Sequence, residues 1–193
     1  MFDYKVILGI IATLLALLSY IPYFRDIFMG KTKPHAFSWF VWAVLTAIAF
    51  AAQVVKNGGA GAWVTGFTAL ACFTISVLAV IKGKRDFPIV DWLSLGAAFI
   101  AMALWAYTND PALSVILITL ADALAFLPTF RKGFFFPNEE TASTFFLSSI
   151  KFVFGILALN TFNISTVLYP ASLVIMNGAF VVLLLARKNT LNR

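Results

Sequence analysis

Three polar side chains fall inside stretches that are otherwise apolar: Asp122, Lys151 and Asn177. Asp122 stands nine residues before Arg131, Lys151 nine after Ala142, and Asn177 ten before Arg187. If each stretch is a helix rising about 1.5 Å per residue from a charged boundary, the three side chains converge on one level. An ionisable group at the centre of a bilayer costs at least about 2.5 kcal/mol, so such groups face protein or water and mark solute or ion paths. A carboxyl and an amine at one depth have two readings. They form a buried salt bridge that ties two helices together, or a substrate or proton site that pairs internally when empty. Either reading predicts the two within ion-pair reach, about 4 Å, in at least one state.

Helical spacing extends the site. Thr144, Ser148, Lys151 and Gly155 step by four, three and four, a narrow polar stripe. Thr119, Asp122, Phe126 and Thr129 form a second stripe. Both should face protein rather than lipid. The candidate substrate-binding residues are Asp122, Lys151, Asn177, Trp42, Ser148 and Thr119. No catalytic constellation accompanies them: the sequence carries no phosphate-binding glycine loop, and its single His35 and single Cys72 cannot make a metal cluster. An enzyme is therefore not expected, and no cofactor or metal is implied. His35, in a basic loop, reads as solvated, and Cys72 as a small packed hydrophobe.

The elements that must position these residues are membrane helices. Of 193 residues, 62% are apolar and 11% charged, too little polar surface for a soluble domain of this length. Seven apolar runs reach the roughly 20 residues that a bilayer core requires: Tyr4–Phe28, Phe37–Val55, Ala62–Lys82, Ile89–Tyr107, Pro111–Phe130, Ala142–Asn160 and Ile164–Ala186. The first has no basic leader and ends in Tyr20-Ile-Pro22-Tyr23, which predicts a retained helix rather than a cleaved signal. Trp63, Trp105 and Tyr107 read as interfacial anchors.

The net charge of +6 is a topology signal, not a nucleic-acid footprint. Eleven Lys and Arg lie in the odd-numbered loops and the C-terminus, against Lys5 and Lys56 on the other side. That asymmetry predicts an outside N-terminus and a cytoplasmic C-terminus.

The chain also repeats itself. Leu18-Ser-Tyr-Ile-Pro22-Tyr-Phe-Arg25 recurs 106 positions later as Leu124-Ala-Phe-Leu-Pro128-Thr-Phe-Arg131, and Ala36, Phe40, Leu78 and Lys82 keep the register with Ala142, Phe146, Leu184 and Lys188. Each unit holds three runs, and the fourth run has no counterpart. An odd number of spans between copies leaves the repeats parallel, a three-plus-one-plus-three arrangement of residues 1–86, 87–110 and 111–193. Asp122, Lys151 and Asn177 correspond to Ala16, Leu45 and Ala71, so the pocket should be asymmetric. Pro22 and Pro128 remove backbone donors that Leu18 and Leu124 would otherwise meet, which makes them candidate hinges.

The proline near the end of the first helix of each unit, with Phe24-Arg25, Lys31-Thr-Lys-Pro34 and Ser38-Trp39 in one copy and Phe130-Arg131 and Pro137 in the other, resembles the PQ-loop superfamily. The seven-run arrangement resembles its SWEET sugar transporters most. In those proteins an asparagine at a place similar to Asn177 contacts substrate. Lys151 falls roughly where they have a pocket tryptophan, and Tyr23 and Thr129 stand where the motif has glutamine. The resemblance implies an all-α, multi-pass protein of a prokaryotic plasma membrane that moves a small polar solute, a sugar or an amino-acid-like or cationic one, by alternating access. The alternative is a ligand-binding receptor on the same scaffold. Solute and membrane lipid are the expected partners, nucleic acid is not, and homo-oligomerisation stays open.

Overall fold

In the computed structural model, residues 3–83, 87–107 and 111–191 are described, and they contain helices but no strand. The helices are α1 (Tyr4–Phe28), α2 (Ala36–Val55), α3 (Trp63–Lys82), α4 (Ile89–Tyr107), α5 (Pro111–Phe135), α6 (Ala142–Leu157) and α7 (Ile164–Leu191), with short 3-10 turns at Gly59–Ala62 and Pro137–Glu139. Local chemistry sets several boundaries. Asp3 caps α1 by accepting from the Lys5 amide at 3.0 Å. Gly30, at φ +71°, turns the chain away after α1 in a conformation that costs glycine little. Pro34 keeps the backbone extended before α2 begins.

Every expected run is a helix, and three differ in length from the expectation by more than one residue. The helix α6 stops at Leu157 instead of Asn160, because the next carbonyls find partners outside it: Lys5 Nζ donates to Leu159 O at 2.8 Å and to Asn160 O at 3.4 Å. The helix α5 continues to Phe135, carrying Arg131 and Lys132 on helical backbone where a loop was expected, and α7 continues to Leu191. Among the described residues, α1, α2, α3 and α7 are long and apolar enough to cross a membrane. Large apolar side chains on their outer faces are exposed, among them Ile10, Leu14, Leu17 and Ile21 on α1, which is compatible with a membrane-embedded protein. Trp63 and Tyr107 are exposed, whereas Lys84, Arg85, Arg193 and the Trp105 side chain lie outside the described residues.

The packing repeats with the sequence. The helix α3 packs on both α1 and α2, and α7 on both α5 and α6. Across the middle, α1 meets α6 and α2 meets α5, while α4 lies mainly against α5. Hydrogen bonds repeat too. Ser38 Oγ donates to Ala125 O at 2.7 Å, and Thr144 Oγ1, the residue in register with Ser38, donates to Ser19 O at 2.8 Å. Each hydroxyl thus serves a carbonyl three residues before a helix proline, one residue on from the Leu18 and Leu124 carbonyls expected to need help. Leu18 points outward, whereas Ser19 is buried against the facing repeat.

Candidate functional site

A cavity of about 30 Å³ lies where the two repeats meet. The first repeat lines it with Tyr20, Trp39, Trp42 and Thr46, and the second with the residues in register: Phe126, Phe145, Ser148 and Phe152. Four pairs of residues 106 positions apart thus line the cavity together. Its asymmetry comes from Asp122 and Asn177, which replace Ala16 and Ala71 of the first repeat. Trp42 stacks obliquely on Phe126 at 4.4 Å between centroids and meets Trp39 edge-on at 5.1 Å. The space holds about one water molecule, so in this conformation the walls are closed on each other.

Of the six expected binding residues, Asp122, Asn177, Trp42 and Ser148 line this cavity and Lys151 and Thr119 do not. Thr119 turns its hydroxyl back to Val115 O at 2.7 Å, satisfying itself within α5. Both polar stripes are otherwise buried as their spacing predicts.

The expected ion pair does not form in this conformation. Asp122 Oδ1 accepts from Tyr169 OH at 3.1 Å, and Lys151 Nζ donates to Tyr20 OH at 3.1 Å while lying 4.3 Å above the Tyr20 ring. The reason is helix order. Although α5 and α6 follow one another in sequence, α7 stands between them, and α6 packs on α1. Lys151 accordingly points across the repeat boundary to a first-repeat tyrosine. Two acceptor or donor atoms on the cavity residues are left without a partner among the described residues, Asp122 Oδ2 and Trp42 Nε1.

At the basic end the two repeats are joined by buried charge. Lys132 is fully buried and donates to Glu140 Oε1 at 2.6 Å, to Glu139 O at 3.0 Å and to Lys33 O. The other Glu140 oxygen accepts from Tyr23 OH at 3.2 Å, and Tyr23 accepts from Trp39 Nε1 at 3.1 Å, a chain that leads to the cavity wall. Burial raises the Glu140 carboxyl above its usual range even with the Lys132 ammonium beside it. Thr141 donates to Asp26 Oδ2 at 2.9 Å and lies 2.6 Å from the Thr32 hydroxyl. Lys33 Nζ reaches Glu139 Oε1 at 2.6 Å, and the two residues are themselves 106 apart, so this pair straddles the pseudo-symmetry axis.

His35 is not solvated. It is wholly buried, with Nε2 2.9 Å from Asp91 Oδ2. Arg131 grips the same carboxylate with two bonds, Nε to Oδ1 at 3.0 Å and Nη2 to Oδ2 at 2.8 Å. The cluster ties the start of α2, the start of α4 and the end of α5 together. Burial lowers the His35 imidazole below its usual range, although the Asp91 carboxylate works the other way. A basic loop offered no sign of this, but Asp91 did. It is a carboxylate just inside an apolar run, and such a group needs a cation. Tyr20, Tyr23 and Tyr169 were equally open to prediction as the hydroxyl-bearing aromatics on the buried faces of their helices.

The opposite end closes with almost no side-chain charge. A Cβ added to Gly61 would come within 2.6 Å of Gly155 O, and one added to Gly9 within 2.6 Å of Ala60 Cβ. Backbone lies on backbone there. Asn160 N donates to Gly58 O at 3.3 Å and Thr161 Oγ1 to Lys56 O at 3.2 Å. Comparisons of the chain with protein-family models, with curated proteins and with solved structures found no match.

Proposed function

We propose that the protein is a membrane transporter that moves a small polar solute by alternating access. In this reading α1–α3 and α5–α7 are two parallel triple-helix bundles joined by α4, with the N-terminus outside and the basic end in the cytoplasm, an arrangement of the PQ-loop and SWEET kind. The observation that carries the reading is the position of the cavity. It lies between two repeats of one chain, is lined by residues in register from both, and is shut at both ends by contacts made between those repeats. Rocking of one bundle against the other would break the contacts of one end while keeping those of the other.

The roles follow from placement. Asp122, Asn177, Ser148 and Trp42 hold the solute, and Lys151 with Tyr20 forms the wall behind them. Pro22 and Pro128 let α1 and α5 bend next to the Ser38 and Thr144 bonds, so that the basic end parts without disturbing the cavity level. Restoring either N–H with alanine should slow flux more than it weakens equilibrium binding. The deciding experiment is uptake into proteoliposomes containing the purified chain, across sugars, amino acids and amines, with protein-free vesicles alongside. Saturable flux abolished by Asp122→Asn supports transport. Saturable binding with no flux for any bound compound would overturn it and leave a receptor.

A further inference from the structure

We infer that the inter-repeat cavity is built for a solute carrying a protonated amine, whose N–H meets Asp122 Oδ2 among aromatic faces while a neighbouring acceptor atom takes the Trp42 Nε1 hydrogen. The inference rests on the transport reading only for what the site does, not for what it binds.

The two unpartnered atoms define the ligand. Asp122 is 1% exposed, and of its oxygens only Oδ1 is engaged, by the Tyr169 hydroxyl. No described basic side chain pairs with it, since the ion pairs of the protein use Asp26, Asp91, Glu139 and Glu140. Whenever it is ionised, a buried carboxylate so placed lacks both a hydrogen bond and a countercharge. A hydroxyl would supply the first only. An ammonium supplies both. Trp42 Nε1 is a donor without an acceptor in the same cavity, so the solute must also carry an oxygen or nitrogen lone pair close to its cationic end.

The walls suit a cation. Trp42, Phe126, Phe145 and Phe152 surround the space, and aromatic faces attract positive charge. The protein already holds an ammonium in this way: Lys151 Nζ lies 4.3 Å from the Tyr20 ring centre and 5.1 Å from that of Phe152, and both rings also line the cavity. An anion would face Asp122 with no lysine or arginine among the lining residues.

The test is thermal unfolding of the full chain in detergent with four small probes of similar size at neutral pH: ethanolamine, ethylene glycol, glycolate and glycine. Ethanolamine, a cation with an adjacent hydroxyl, should raise the midpoint saturably, ethylene glycol and glycolate, which lack an ammonium, should not, and glycine, whose carboxylate adds an anion beside Asp122, should respond less than ethanolamine. Asp122→Asn keeps the shape and the Tyr169 bond and should weaken the ethanolamine response at least about tenfold, the usual worth of a hydrogen bond to a charged group. Trp42→Phe keeps the ring face and should weaken it by a smaller factor. The contrast between ethanolamine and ethylene glycol in the unaltered chain needs no variant to fold. Equal responses to those two, a response to glycolate alone, or none to any probe would each overturn the inference, the last leaving a bridging water as the occupant. Flux settles the two readings separately. Proteoliposomes that carry glycolate or ethylene glycol but not ethanolamine keep the transporter and lose the amine, and ethanolamine binding without flux does the reverse.

Discussion

The two ends of this molecule are shut by opposite means. At the basic end, charged and hydroxyl side chains do the joining: buried Lys132, Glu140 and Tyr23 across the repeats, the partly exposed Lys33 with Glu139, and His35, Asp91 and Arg131 beside them. At the other end Gly9, Gly61 and Gly155 let backbone approach backbone, and the hydrogen bonds there use main-chain groups. The difference is energetic as well as chemical. Parting the repeats there strips the buried Glu140 carboxylate of the Tyr23 hydroxyl and the buried Lys132 ammonium of the Lys33 carbonyl, each a hydrogen bond to a charged group. Separating the glycine-lined surfaces forfeits dispersion spread over many weak contacts and a few hydrogen bonds, of which the Lys5 bond to the Leu159 carbonyl uses a charged donor. The basic end is therefore the more switch-like of the two, held fully or not at all, and the small-residue end is the one that parts at lower cost.

The largest expected effect follows from the first half of that contrast. Glu140→Gln keeps the side-chain shape but leaves the Lys132 ammonium buried without its carboxylate. A loss of about 3–5 kcal/mol is expected for breaking such a pair from one side. Adding Lys132→Met removes the stranded charge and should recover part of the loss, so the two changes should not add. Unfolding of the single and double variants in detergent measures this. A Glu140→Gln protein as stable as the parent would show that the end is not held by charge.

At the opposite end the expected effect is smaller and different in kind. Gly61→Ala puts a methyl into the Gly155 backbone, which must retreat. Overpacking of this sort costs about 1–3 kcal/mol. Because the strain exists only when this end is closed, conformations open there should gain population. A cysteine placed at Asn57 should then label faster in the Gly61→Ala protein than in the parent. An unchanged labelling rate would mean that the contact does not distinguish conformations.

That much of the fold was legible before any coordinates has a physical explanation. Long apolar runs separated by short polar and Gly/Pro breaks put helix positions into composition, and α1 and α4 begin and end where the apolar runs do. Repetition made the rest of the packing partly readable, since Ser38 and Thr144 in register make the same bond. What was not legible is which helices touch. The pairing of Asp122 with Lys151 assumed that successive helices are neighbours, and α7 intervenes. His35 was misread for a related reason: a loop position says nothing about whether another helix covers it, and here α4 does, through Asp91.

The basic end should also respond to acid, through a group the other end lacks. Burial holds His35 below the ordinary value of 6.5, so between that value and the lowered one the folded chain binds fewer protons than the unfolded chain. Its stability contribution is complete above about pH 6.5 and is lost as the pH falls through the folded value. Glu140, raised by burial, acts with the opposite sign above its ordinary range, losing stability as the pH rises. The two slopes are separated by variants. His35→Gln should flatten the decline in melting midpoint on acidification from pH 6.5 and leave the Glu140 slope in place. A decline equally steep in His35→Gln would assign it elsewhere.

The smallest expected effect concerns the level between the two ends, where charge is present yet not paired. Asp122 is served by Tyr169 and Lys151 by Tyr20, two tyrosines on different helices. If this is the resting arrangement, each side chain contributes through its own hydroxyl, and no bond links the two. Asp122→Asn and Lys151→Met should then lower stability independently, and their double variant should show the sum within about 0.5 kcal/mol. Glu140 and Lys132, at the basic end, form the positive control for coupling in the same protein. A coupling of 1 kcal/mol or more between Asp122 and Lys151, on the scale of contacting residues, would mean that they meet in another conformation the protein visits. The middle of the molecule would then resemble the basic end, closed by its own charges whenever the solute is away.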